Sequence, residues 1–384
     1  MDAAAAPRCL LRGLNELKDP RVERTKRHSL NDILIITILA VICGADGFSQ
    51  IALFGRSKIK WLKTFLELPH GIPSHDTFGR VLAALDPDQF ERWIMQWTAN
   101  LAKRTQGRVL AIDGKTLRRS FQSVGKQGAI HMVNAWCASN HLVLGQLATD
   151  EKSNEITAVP KLLELLDISG AIVTVDALNC QKDIAQKIVA GGGDYLLQVK
   201  ANHATLHQQL ITDLDEAVAL NFDGMKHDYA QTTDGDHGRI ETRRLWCTSD
   251  VSWVPNKEAW AKLTSVAVME CKREVIGQAA SVQRRYYISS LPACGGDDAK
   301  QMLAAARGHW SVENQLHWSL DVGFREDDCR IRTGHGAENF ARLRRLSINL
   351  LKAETTTKVG LASKRLRCGW DHDYLLKVLA AASD

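Results

Sequence analysis

From residue 109 to residue 199 the sequence consists of short β-branched and aliphatic runs, separated by turn residues and two helical stretches, and the order of these pieces constrains the fold most tightly. Val109–Ile112 reads as a strand, and Ile130–Cys137 with Leu142–Ala148 reads as a hairpin across Ala138-Ser139-Asn140. Glu155–Leu166 has helical spacing, Ala171–Val175 is a strand, Gln181–Ala190 is a helix stopped by three glycines, and Tyr195–Val199 is a further strand. The order β-β-β-α-β-α-β predicts an α/β sheet whose first three strands are antiparallel and whose last two are reached by helical crossovers.

On either side the texture is different. Residues 1–105 read as a helical amino-terminal domain, with helices over Leu30–Cys43 and Lys58–Leu66 and a third capped by Ser74 and running through Leu85. The break at Pro69–Pro73 between the last two is compatible with a helix-turn-helix that reads DNA and equally with a simple packing unit. The α/β core divides into 106–201 and 297–354, interrupted by a strand-rich insertion over 202–296 and followed by a basic tail over 355–384. Helical pattern resumes at Asp297 and runs through Gly323, and a basic amphipathic helix follows over about Ala337–Ala353.

Two acids stand at equivalent places in the core. Asp113 follows Val109–Ile112, and Asp176 follows Ile172–Val175; the crevice at strand carboxyl ends is where open α/β sheets hold ligands. One such Asp is commonly a turn former or a helix cap, but two in matching positions point to a shared metal site. Glu313 is the candidate third acid, with Asp321 and Glu326 in reserve. His309, Glu313 and His317 recur every four residues and share a face flanked by Val312, Leu316 and Leu320. An amphipathic surface helix, or a zinc site on the two histidines, would account for the same spacing.

These residues, in this order, resemble the DDE transposases of bacterial insertion sequences, in the subgroup of H-repeat-associated proteins. The strings that carry the resemblance are Ile42–Gly47, Gly71–Phe78, Ala111–Lys115, Lys152–Glu155, Asp176-Ala177, Asp194–Asn202 and His237–Glu241. They end with His309–Asn314, Leu316–Trp318 and Leu320–Val322. The resemblance implies a ribonuclease H-like core, two Mg2+ ions for which Mn2+ can substitute, and an Asp113, Asp176, Glu313 triad that holds them. The broader group carries Tyr, Arg, Glu and Lys around its last acid, where this chain has Ala306, His309, Glu313 and Leu320. His309, Asn314 and His317 are then the candidates for replacement DNA contacts.

The implied chemistry is metal-assisted attack on a phosphodiester at a transposon end, followed by attack of the freed 3′-hydroxyl on target DNA. Double-stranded DNA, as terminal inverted repeats and as target, is the expected partner of a homodimer or higher assembly. Lys115 and Lys200, near strand ends, and Arg342, Arg344 and Arg345, on the basic helix, are the expected phosphate contacts. Glu155 reads either as an auxiliary acid or as a first-turn acid favoured by the helix dipole. A net charge of +5 excludes a uniformly basic coat but permits such local patches.

Nine scattered cysteines without a CxxC pair argue for reduced thiols, and the most apolar run, Ile33–Ala45, is too short to span a bilayer. With no signal-peptide pattern, the expectation is a cytoplasmic, nucleoid-associated protein without a membrane partner. A transposase-derived DNA-binding protein without catalysis, or a hydrolase that cuts without strand transfer, is the rival reading.

Overall fold

The computed structural model describes residues 13–102, 109–121, 128–149, 154–236 and 238–381. Lys152, Ser153 and His237, and the expected domain boundary at 105–106, lie outside the described residues.

The amino-terminal helices are α1 (Leu30–Ile42), α2 (Phe48–Ser57), α3 (Ile59–Leu62), α4 (His75–Ala84) and α5 (Pro87–Ala102). Ser29 caps α1 by accepting from the Asp32 N–H, and Ser74 caps α4 by accepting from the Thr77 N–H. Every residue from Ile33 to Ile42 is buried, so α1 is apolar all round because it is surrounded. The expected helix over Lys58–Leu66 shrinks to the single turn of α3, while α2 and α5 were not anticipated.

The core strands are β1 (Val109–Thr116), β2 (His131–Cys137), β3 (Leu142–Thr149), β4 (Ile172–Val175) and β5 (Asp194–Val199), with α6 (Glu155–Glu164) and α7 (Lys182–Ala190) as the crossovers. After α8 (Ala204–Ala219) come β6 (Asp228–Asp236), β7 (Arg239–Thr248), β8 (Ser265–Val275) and β9 (Ser281–Ser289). All nine strands form one mixed sheet in the order β3-β2-β1-β4-β5-β9-β8-β7-β6. The strand-rich insertion is therefore an extension of the core sheet, because β9 pairs antiparallel with β5, Leu197 opposite Ile288. The central parallel strand β4 is buried throughout, as its unbroken apolar sequence requires.

The chain closes with α9 (Asp298–Ser311), α10 (Gly336–Ala353), α11 (Leu361–Trp370) and α12 (His372–Ala380). The amino-terminal helices and α10–α12 share a hydrophobic core that includes Ile36, Leu39, Phe78, Phe90, Phe340 and Leu346. This mass also covers the open edge of β3. Glu91 accepts from the Gln146 N–H at 3.0 Å, and the Asn349 amide exchanges two hydrogen bonds of 2.8 Å with the Val143 backbone. Among the described residues no helix is long and apolar enough to cross a membrane.

Candidate active site

Strand β1 does not end at Asp113, as its apolar run suggests, but continues to Thr116 against β2. What ends there is the parallel pairing with β4, whose last pair is Ile112 opposite Val175. Asp113 and Asp176 are thus the next residues on two neighbouring parallel strands, at the point where the strands stop pairing. Both are partly buried. Asn179 fixes Asp176: its backbone N–H donates to Oδ1 at 3.0 Å and its side-chain amide donates to the same oxygen at 2.8 Å.

The candidate third acid, Glu313, follows the end of α9, a helix that lies close against β1. A Cβ on Gly308 would fall 2.9 Å from Val109 Cγ1, so glycine permits that approach. Trp136 Nε1 donates to Ser311 Oγ at 2.8 Å and pins the end of the helix to β2. From Val312 to His317, and again from Ser319 to Gly323, the winding widens to π-helix. Such turns recur at functional sites because they shift side chains off the face that regular α-helical spacing would give them. Val312, Leu316 and Leu320 are buried, while Glu313 and Asn314 are exposed. Within the site, His309 Nδ1 lies 3.1 Å from Thr174 Oγ1, and His317 Nδ1 lies 3.9 Å from Asp113 Oδ2. The predicted His309, Glu313, His317 face therefore crosses from β4 to β1.

Electrostatics distinguish these groups. Burial first, and then the negative charges of Asp176, Glu155 and Glu313, together push the Asp113 carboxyl up to about 7 against a lowering hydrogen bond from the Gly114 backbone. Burial pushes His309 down to about 4, reinforced by Lys200 and Arg285. Burial likewise pushes His317 down to about 3, reinforced by Lys115, Arg345 and His131. Both imidazoles are neutral near pH 7, so the contact between His317 and Asp113 is not an ion pair there.

Several expected phosphate contacts are engaged inside the protein. Lys115 is 8% exposed, with Nζ 2.8 Å from Asp321 Oδ1 and 3.3 Å from Asp327 Oδ1. Arg342, Arg344 and Arg345 correct the reading of α10 as a basic DNA-facing helix, since they are 0%, 1% and 1% exposed. Arg342 Nε meets Glu91 at 2.9 Å and its Nη1 meets Glu338 at 2.7 Å. Arg345 Nη1 meets buried Glu326 at 2.8 Å, and Arg344 lies 3.8 Å from the same carboxylate and over the Phe340 ring. Of the expected contacts, Lys200 and Asn314 are exposed. Glu326 and Asp321, the reserve acids, are both committed to internal ion pairs.

Asp113, Asp176 and Glu313 offer the hard, anionic oxygens that a divalent magnesium ion prefers. Burial first, and Asp176 next, hold the Asp113 carboxyl high, a setting in which a bound cation would favour its charged form. The donor set fits such an ion in chemistry, although among the described residues no three Asp, Glu, His or Cys side chains converge into a ready-made metal cage. Sequence reasoning passed over Asn179 and His131. Asn179 stands three residues after Asp176, the reach of a capping side chain to a backbone N–H, and that was the available signal; His131 gave none, because only strand register sets it opposite Thr116.

The transposase DDE domain family matches residues 104–350, and the family of the region associated with that domain matches residues 11–98. The chain is 39% identical to the H repeat-associated protein YhhI of Escherichia coli K12 over 97% of its own length and 98% of the relative's. It is 46% identical to the inactive transposase YbfQ of the same strain over 15% of its own length and 67% of the relative's. Among solved structures, a piggyBac transposase synaptic complex with hairpin DNA aligns at a TM-score of 0.40 and 11% identity, covering 97% of this chain and 76% of that one.

Proposed function

The chain belongs to the DDE transposase family, and from that premise we propose that it binds transposon ends, cuts phosphodiester bonds there with two metal ions, and joins the freed 3′-hydroxyl ends to target DNA. The observation that carries the reading is the register of β1 and β4, which sets Asp113 beside Asp176, with the charge of Glu313 acting on Asp113. The strand order 3-2-1-4-5 in the first five strands, with helical crossovers into β4 and β5, supports a ribonuclease H-like core.

In this reading Asp113, Asp176 and Glu313 hold the ions, Mg2+ by preference and Mn2+ as a substitute. When bound, the ions lower the pKa of the attacking water and stabilise the leaving oxygen. The chain's own contribution is placement. The parallel register of β1 and β4 supports a side-by-side pair of carboxylates, and Glu313, on the π-helical stretch that follows α9, would supply the third from a separate element. Exposed Lys200 and Asn314 are the side chains best placed to steady a phosphate backbone, with neutral His309 and His317 as hydrogen-bonding groups at the floor of the site. The amino-terminal helices are proposed to hold the terminal inverted repeats, in a dimer or larger assembly on DNA at the nucleoid.

The test uses the full-length protein and a labelled duplex carrying the boundary DNA on both sides of its coding segment. Mg2+-dependent nicking and joining are expected for the parent, and both are expected to vanish in Asp113→Asn, Asp176→Asn and Glu313→Gln while DNA binding persists. A parent that binds the duplex without cutting it would favour an inactive, transposase-derived DNA-binding protein. Cutting without joining would favour a simple hydrolase.

A further inference from the structure

Behind the two strand-end acids lies a buried polar chain that the proposed reaction does not use. Asn179 is fully buried, and besides its two hydrogen bonds to Asp176 Oδ1 its amide lies 2.9 Å from Glu155 Oε2. Glu155 is itself buried at the start of α6, and its Oε1 is 2.5 Å from His131 Nε2. The other imidazole nitrogen, Nδ1, lies 2.8 Å from Thr116 Oγ1 on the strand that carries Asp113. The chain Asp176–Asn179–Glu155–His131–Thr116 therefore links the acid at the end of β4 to β1 and β2. Gly114 makes room for it, since a Cβ there would lie 2.0 Å from His131 Nε2 and 2.4 Å from Glu155 Oε1.

Taking the Proposed function as its basis, the geometry points to Glu155, with Asn179 and His131, as positioning residues that orient Asp176 so that Oδ2 is its metal-binding oxygen. A carboxylate oxygen has two lone pairs in its plane, and both of those on Asp176 Oδ1 are occupied by Asn179 donors. Oδ2 is the oxygen left to face a cation, which makes Asp176 a monodentate ligand. Glu155 has one oxygen against the Asn179 amide and the other against the His131 ring, so it is turned toward the protein and acts on the site through Asn179. Partners of this kind, one bond removed from a metal ligand, typically contribute 10- to 100-fold to metal affinity or activity. The arrangement also separates the two readings of Glu155 in the sequence: it is neither a solvated first-turn acid nor a further ligand.

The test compares Glu155→Gln, Asn179→Ala and Asp176→Asn with the parent as full-length proteins. Mn2+ binding is followed by electron paramagnetic resonance without DNA, nicking of the boundary duplex by kcat and KM, and folding by thermal melting. Glu155→Gln keeps a carbonyl acceptor for the Asn179 amide and sets an NH2 against the His131 ring in place of an oxygen, so it is expected to bind the parental number of Mn2+ ions and to lose less kcat than Asn179→Ala. Asn179→Ala is expected to weaken Mn2+ binding and lower kcat by about 10- to 100-fold, with KM for the duplex unchanged. If Glu155→Gln loses an Mn2+ equivalent and cuts as poorly as Asp176→Asn, Glu155 is a ligand and the inference fails. It also fails if Asn179→Ala, folded, binds Mn2+ and cuts like the parent. Should Asn179→Ala not fold, Asn179→Leu, which removes the amide donor, nearly keeps the volume and adds no charge, decides by the same two readouts. A parent that binds no Mn2+ at all would overturn the metal-dependent reading itself, a result distinct from either of these.

Discussion

Replacing Asp113 with Asn should make the metal-free protein more stable, and the gain should grow with pH. In the folded chain the carboxyl is pushed from 3.8 to about 7, chiefly by burial and next by Asp176. A carboxyl raised in this way leaves the folded state holding more protons than the unfolded state between pH 4 and 7. Its stabilising contribution is thus complete below the unfolded pKa and is lost as pH rises through the folded one. Each pH unit in that window removes about 1.4 kcal/mol. From pH 5 to pH 8 the parent should lose roughly 2–3 kcal/mol through this group, and most of the loss should be complete by pH 7. Asp113→Asn has no such proton to lose and can still accept from the Gly114 backbone. His309 and His317 titrate with the opposite sign, but they are present in both proteins and largely cancel in the difference. Urea unfolding of parent and variant in EDTA at pH 5, 6, 7 and 8 gives that difference directly. A variant whose advantage stays constant across the range would refute the reasoning, because the acid would then be compensated in the folded state. A variant that is less stable at every pH would identify Asp113 as a structural acid.

Other consequences concern the engaged cations and the packed glycine. Arg345→Gln should cost about 3–5 kcal/mol in urea unfolding, since it leaves Glu326 with a buried charge and only the longer contact to Arg344; a loss below 1 kcal/mol with weakened DNA binding would restore a phosphate role. Lys200→Ala should reduce the slope of log affinity against log salt by about 1, whereas Lys115→Ala, whose charge is already paired, should leave that slope unchanged in an anisotropy titration. Gly114→Ala should lower stability by about 1–3 kcal/mol through overpacking and abolish nicking, and a parental melting point would contradict the close approach of His131 and Glu155.

Much of this architecture was legible because it depends on local signals. The apolar runs that became β1, β4 and β5 carry their own burial pattern, and Ser74 announces the helix it caps. The insertion was legible as strands but not as part of the core sheet, because pairing Leu197 with Ile288 is a contact 91 residues apart that no local pattern encodes. The site divides in the same way. Strand-end acids can be read from the strands, but π winding after Ser311 and the link from Asp176 through Asn179 to Glu155 and His131 depend on tertiary packing.

The arginines of α10 show why a basic string misleads and what their burial does for the site. An unpaired arginine is expected to be solvated, and of the three only Arg342 has an acid one turn away, Glu338. The other partners, Glu91 and Glu326, lie outside the helix and meet it only in the fold. A clue was nevertheless present: apart from Glu338 and Lys352 near its ends, the helix carries none of the lysines and glutamates of a solvated face, with Ala341, Ser347, Ile348 and Asn349 in its middle. Once folded, three of the nearby cations are paired with acids, while Arg344 shares Glu326 at longer range and Lys200 stays exposed. Arg342 takes Glu91 and Glu338, Arg345 takes Glu326, and Lys115 takes Asp321 and Asp327. Arg345 Nε also donates to Asn134 Oδ1 at 2.5 Å, and Asn134 is the β2 residue opposite Asp113, so the buried pair braces the strand that carries the acid. Among the described residues no lysine or arginine lies within ion-pair distance of Asp113, Asp176 or Glu313, and burial, followed by the charges of Asp176, Glu155 and Glu313, keeps the proton affinity of Asp113 high. Pairing of these cations elsewhere leaves Asp113 and Asp176 without a basic partner at the strand ends, which supports the proposal that a divalent ion supplies the counter-charge there.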